Sequence, residues 1–187
     1  MTKKIIIGKE EWCSLHNLNL PAIKARVDSG AKTSSLHAFN IYVFEEHGIK
    51  YVTFDIHPIQ DNRKIIQNCR AQVIDKRDVK SSSGEKEKRI VISTPITFGQ
   101  ETWEIEVTLT NRDAMGYRML LGREALKEKI LIDPNQSFLL GTYNDRDVQT
   151  YYKNVMPSKK GLNIALLASN PELYSNKRIM EAGEPLF

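Results

Sequence analysis

The chain has 187 residues, of which 41% are hydrophobic and 27% charged, and a formal net charge of +4. That apolar content is enough for one packed domain with room for an appendage, and no run of about eighteen apolar residues is present to cross a membrane as a helix. Met1-Thr2-Lys3-Lys4 followed by three isoleucines is too short for the core of a signal peptide, so a cytoplasmic location is expected.

Lys4 to Gly8 and Glu11 to Leu15 read as short strands, and Pro21 closes the loop before a third, in which Ile23, Ala25 and Val27 alternate with Lys24 and Arg26. Asp28 falls at its end, in the polar turn Asp28-Ser29-Gly30-Ala31. Gly30 is expected to adopt a backbone conformation closed to other residues, and the hydroxyls of Ser29, Thr33, Ser34 and Ser35 to hold the turn. Leu36 to Phe44 and Ile49 to Ile56 form a hairpin around Glu45-Glu46-His47-Gly48, with Val52, Phe54 and Ile56 on one face. Extended structure resumes at Cys69 to Ile74, and residues 76–95 read as a long hairpin with a polar, glycine-containing tip.

The clearest strand comes next, since Trp103, Ile105, Val107 and Leu109 alternate with Glu104, Glu106, Thr108 and Thr110. A turn at 111–116 leads into the apolar strand Arg118-Met119-Leu120-Leu121-Gly122, then a short helix over Glu124 to Lys129, and 130–134 with Ser137 to Leu140 closes the sheet. Residues 144–160 carry no hydrophobic period and read as a linker. Residues 161–187 read as strand, loop and helix, a βα unit that cannot bury a core of its own.

The +4 charge favours anionic partners, but the lysines and arginines form no basic helix and accompany no aromatic RNA-binding motif, so nucleic acid is not expected among them. Cys13 and Cys69 are the only cysteines and lack metal-knuckle spacing, so both are expected as free buried thiols. The four histidines, His16, His37, His47 and His57, form no helical pair, and a zinc site would have to be assembled from Asp28, His37 and a distant residue. A carboxylate delivered by a strand into a polar turn could act as a base, although an Asp that merely caps its own loop reads the same way.

The Asp28-Ser29-Gly30-Ala31 turn, followed some ninety residues later by Leu120-Leu121-Gly122 and a short helix, resembles the retropepsin layout of aspartic peptidases. Val27 to Ala38, Asp78 to Gly84 and Met119 to Arg123 are similar to one bacterial branch of it, the RimB-like family, also labelled ATP-dependent zinc proteases. The resemblance implies a mostly β fold, a closed retropepsin-like barrel or sandwich with one short helix, over 1–143. It also implies that 144–160 links it to 161–187, which resembles the opening βα unit of a RimK-type ATP-grasp glutamate ligase. The chain would then be a fragment or remnant of a peptidase–ligase fusion.

It further implies that Asp28 is the base, oriented by Ser29 and Gly30, and that the long hairpin is a flap. Ala31, Lys32, His37, Lys80, Ser82, Ser83, Arg89, Arg112, Arg118 and Arg123 would hold a glutamate-rich peptide or glutamate-tailed protein, because Arg and Lys pair with carboxylates. No cofactor is implied, and no residue reads ATP. One Asp-Ser-Gly per chain points to a two-fold homodimer in which two Asp28 carboxyls share a proton. Lys32 and His37 stand where an apolar interior is usual in retropepsins, and positive charge there would work against such sharing. Two alternatives stand beside a peptidase of this type: a non-catalytic module that binds acidic peptides for the ligase, and a zinc peptidase.

Overall fold

The computed structural model describes residues 4–80, 86–111, 116–126 and 130–155, all within the compact unit Met1–Met156. Eleven strands are found among them: β1 (Ile5–Gly8), β2 (Glu10–Leu15), β3 (Leu20–Asp28), β4 (Ser34–His37), β5 (Phe39–Glu46), β6 (Ile49–Ile56), β7 (Gln67–Lys80), β8 (Lys86–Phe98), β9 (Glu101–Thr110), β10 (Met119–Gly122) and β11 (Ile130–Asp133). Two helices, α1 (Arg123–Leu126) and α2 (Asp145–Val155), accompany them. None is long and apolar enough to cross a membrane.

Nine strands form one sheet in the order β2-β3-β10-β4-β9-β8-β7-β6-β5, and a further pairing of β2 with β8 through Ser14 and Thr97 closes the first six into a barrel. Strands β7, β6 and β5 extend beyond it. The mostly β, closed architecture read from the sequence is therefore present. Its interior is filled by the alternating apolar positions: Ile23 and Ala25 from β3, Leu36 from β4, Ile92 and Ile96 from β8, Ile105, Val107 and Leu109 from β9, and Met119 and Leu121 from β10. Val52, Phe54 and Ile56 are fully buried, as the period of two in β6 predicts. Cys13 and Cys69 are free and buried, and burial, with Asp55 nearby, pushes the Cys69 thiol up to about 12, so it stays protonated.

Several local readings change. Leu36 to Phe44 is two strands, because Ala38 ends the pairing of β4 with β9 and β5 turns to pair with β6. The β5–β6 hairpin turns on His47 and Gly48, at φ 51 and 77, the left-handed pair that suits a two-residue connection. Ile130–Asp133 does not join the main sheet but pairs in parallel with β1. Ser137 to Leu140 is a turn, whose backbone is occupied in holding Glu11.

Glu11 is fully buried, and its carboxylate accepts the amides of Gly8 (2.9 Å), Leu139 (2.6 Å) and Leu140 (3.4 Å). It ties the end of β1 and the 137–140 turn to β2. Glu11→Ala would leave three donors without their acceptor, each costing about 1–3 kcal/mol where water cannot replace it. A loss of about 3 kcal/mol in chemical denaturation is expected, and a change below about 1 kcal/mol would contradict this role.

The stretch read as a linker contains α2 over Asp145–Val155. Asn144 caps it, its Oδ1 accepting the Asp147 amide at 2.9 Å. Val148 and Tyr152, four residues apart, are both fully buried, and the Tyr152 hydroxyl donates to the Ala22 carbonyl of β3 at 2.5 Å. Two apolar residues one turn apart are too few for a visible period, yet enough to seat a helix when a sheet supplies the other surface.

Candidate active site

The site is assembled where β10 runs between β3 and β4. It pairs in parallel with β3, Gly122 opposite Asp28, and antiparallel with β4, Leu120 opposite Ser35. The loop from Asp28 to Ser34 thus wraps around the end of β10. A Cβ added to Gly122 would stand 2.5 Å from the Thr33 carbonyl carbon, 2.8 Å from the Lys32 oxygen and 2.8 Å from the Ser34 nitrogen, so only glycine allows the approach.

The contacts that hold this loop are regular. The Gly122 amide donates to the buried Ser34 hydroxyl at 3.1 Å, the Arg123 amide to the Ala31 carbonyl at 2.9 Å, and the Glu124 amide to the Lys32 carbonyl at 3.1 Å. The Arg123 guanidinium donates to the Gly30 carbonyl at 3.2 Å. At the other end, the Val27 amide donates to the Lys9 carbonyl at 2.9 Å. The first amides of α1, which have no partner within the helix, are satisfied by the loop they immobilise.

Asp28 is half-buried, and its Oδ1 accepts the amides of Gly30 (3.2 Å) and Ala31 (3.1 Å). This fixes one carboxylate oxygen and leaves Oδ2 with no protein donor among the described residues. Ser29 and Gly30 are exposed beside it. Gly30 does not take the left-handed backbone expected of it, and a Cβ there would meet Asp28 Oδ1 only at 3.4 Å. Backbone amides, rather than the Ser29 hydroxyl, orient the carboxylate.

The other candidate residues fall into separate groups. Lys32 is exposed and lies 3.8 Å from Glu124, next to Arg123. A cavity of about 670 Å³ opens there, lined by Ser93, Glu104, Ile105, Glu106, Arg123 and Glu124. Its lining is acidic rather than basic. Arg77 donates to Glu106 and Asp75 and holds both carboxyls below the usual carboxylate range. The alternation in β9 already put Glu104 and Glu106 on its wet face, but a charge on a wet strand face gave no sign of a cavity.

His37, Arg89 and Arg118 form a second group, all buried. The His37 amide donates to the Arg118 carbonyl at 2.8 Å, and His37 is paired with Thr110 of β9. Thr110 and Arg89 both donate to Glu87, at 3.4 and 2.8 Å, and Arg89 is paired with Arg77. Arg118 just before β10, His37 on β4, Arg89 on β8 and Arg77 on β7 therefore follow one line across the sheet, with Thr110 of β9 between His37 and Arg89. The β7–β8 hairpin is longer than the sequence indicated, with Lys80 opposite Lys86. Ser82, Ser83 and Arg112, and the side chain of Lys80, lie outside the described residues. The zinc alternative finds no group of three or more His, Cys, Asp or Glu side chains placed to hold a metal among the described residues.

A single carboxylate at a strand end, locked to a Leu-Leu-Gly strand and a short helix inside a closed barrel, defines a retropepsin-like domain. Residues 6–142 match the RimB-like family, described as "Retropepsin-like aspartic endopeptidase RimB", and the chain belongs to that family. It is also similar to proteins named "Probable alpha-L-glutamate ligase", with 60% identity over 97% of this chain in Shewanella halifaxensis and 53% over 98% in Parasynechococcus marenigrum. The chain spans about 40% of the length of those relatives. A crystal structure of a Legionella pneumophila protein of unknown function is similar at 30% identity and a TM-score of 0.62, covering 72% of this chain and 97% of that one.

Proposed function

We propose that this chain is a peptidase module that hydrolyses peptide bonds in glutamate-rich peptides, working beside an ATP-grasp glutamate ligase of the RimK type. The observation that carries the reading is the Asp28 carboxylate, half-exposed, with one oxygen fixed by two amides and the other available to a water. Asp28 takes a proton from that water as its oxygen attacks the scissile carbonyl carbon, and the nitrogen leaves as an amine after receiving a proton. A second copy related by a two-fold axis brings the partner's carboxyl within about 3 Å, so that one proton is shared and the second group polarises the carbonyl. Arg118 supplies positive charge that favours an acidic chain, with His37 and Arg89 in the same row, and Lys32 and Arg123 brace the loop.

Domain limits follow the same reading. The module covers 1–143 together with α2, and residues 161–187, which lie outside the described residues, begin the ligase, a reading supported by the greater length and the ligase name of the relatives. Incubation with oligoglutamate, read by mass spectrometry, tests the activity. Shortened products in the wild type are expected, and none from a preparation that binds the peptide would overturn the peptidase reading. The ligase name of the relatives favours a second reading in that event, a non-catalytic module that presents an acidic tail. Sedimentation separates the dyad from a lone base, since a fully active monomer is incompatible with a shared proton.

A further inference from the structure

We propose that Arg118 is the specificity-determining residue of the cleft, its guanidinium taking one side-chain carboxylate of the substrate. This rests on the acidic-peptide reading above and assigns the preference to one residue. Arg118 is only 6% exposed, and its Nε has no hydrogen-bond partner among the described residues. Arg89, farther along the same row, is equally buried but is matched by Glu87. A guanidinium so far from water, with no matching anion among the described residues, is costly, and a carboxylate arriving from outside removes that cost while gaining charge-assisted hydrogen bonds in the guanidinium plane.

Its position suits the task. Arg118 lies four residues before Gly122, the partner of Asp28. Residues four apart in a strand share a face and stand about 13 Å apart. Leu120, between them, is on that same face and is only half-buried. An extended peptide lying over Leu120 with a backbone carbonyl at Asp28 can thus extend a glutamate side chain to Arg118. The acidic cavity at Glu104, Glu106 and Glu124 repels the same peptide from the other flank.

The test uses Asp28→Asn protein, which binds without turning over, titrated with oligoglutamate and with oligoglutamine of equal length. The ratio of the two affinities is expected to fall by roughly 10- to 100-fold when Arg118→Met is added, the loss expected for hydrogen bonds to a charged group. Arg118→Met also removes a buried unmatched charge while keeping an apolar stem, so the midpoint of thermal unfolding is expected to hold or rise. Arg118→Lys, which keeps the charge and loses the fork, is expected to fall between wild type and Met and serves where Met impairs folding. An unchanged ratio in both variants overturns the assignment, as does an equal loss for both peptides. If selective binding follows Arg118 yet wild-type protein yields no products, the peptidase reading fails and this one stands. Cleavage with undiminished selectivity when the Arg118 substitutions are made with Asp28 intact upholds the peptidase and overturns the role of Arg118.

Discussion

Asp28→Asn is expected to lower the rate of oligoglutamate cleavage by about 10²- to 10⁴-fold, the range set by removing a positioned general base. Asparagine keeps the oxygen that accepts the Gly30 and Ala31 amides, so the turn survives and only the basic group is lost. Stability should therefore stay within about 1 kcal/mol of wild type. Asp28→Ala separates the two roles further: it removes the base and the local acceptor together, and both activity and the loop should suffer. Full activity in Asp28→Asn would show that the carboxylate serves only to close its own turn.

Gly122→Ala is expected to cost at least about 4 kcal/mol, or to prevent folding, because the added methyl meets backbone rather than a side chain that could swing aside. The atoms in its way belong to Thr33, Lys32 and Ser34, so relief can come only by pushing the Asp28 loop off β10. Any Gly122→Ala protein that folds should have lost the Gly122 to Ser34 hydrogen bond and most of its turnover together. Denaturant unfolding and oligoglutamate cleavage, measured side by side, check this. A folded variant with wild-type stability would mean that β10 and the loop are not packed this closely.

Much of this arrangement could be read from residue order alone. The period of two in β3 and β9 located the strands and their buried faces, and the glycine after two leucines marked a place where backbones meet. Pairings that join distant segments were not legible, because nothing in Ile130–Asp133 distinguishes a partner of β1 from another strand of the main sheet. Glu11 illustrates the same limit from the side of charge. A glutamate at the start of a strand reads as solvent-facing, and only the folded turn at 137–140 reveals the amides that make its burial tolerable. At the candidate site, Asp28 and the Leu-Leu-Gly strand were found where the motif placed them, but the basic residues, grouped by their nearness in sequence, divide between two flanks. Strand alternation sends Arg118 into the row with His37, while Arg123, at the start of α1, turns to the Asp28 loop.

The seat of α2 bears on where this protein can be cut. Tyr152 fills the back of the strand that ends in Asp28 and grips it at Ala22. A shortened version stopping at residue 143 would strip that strand of its cover and leave apolar surface facing water, whereas one running through Val155 keeps it. Solubility of the two pieces on expression should differ accordingly, and the reacting loop should keep its shape only in the longer one.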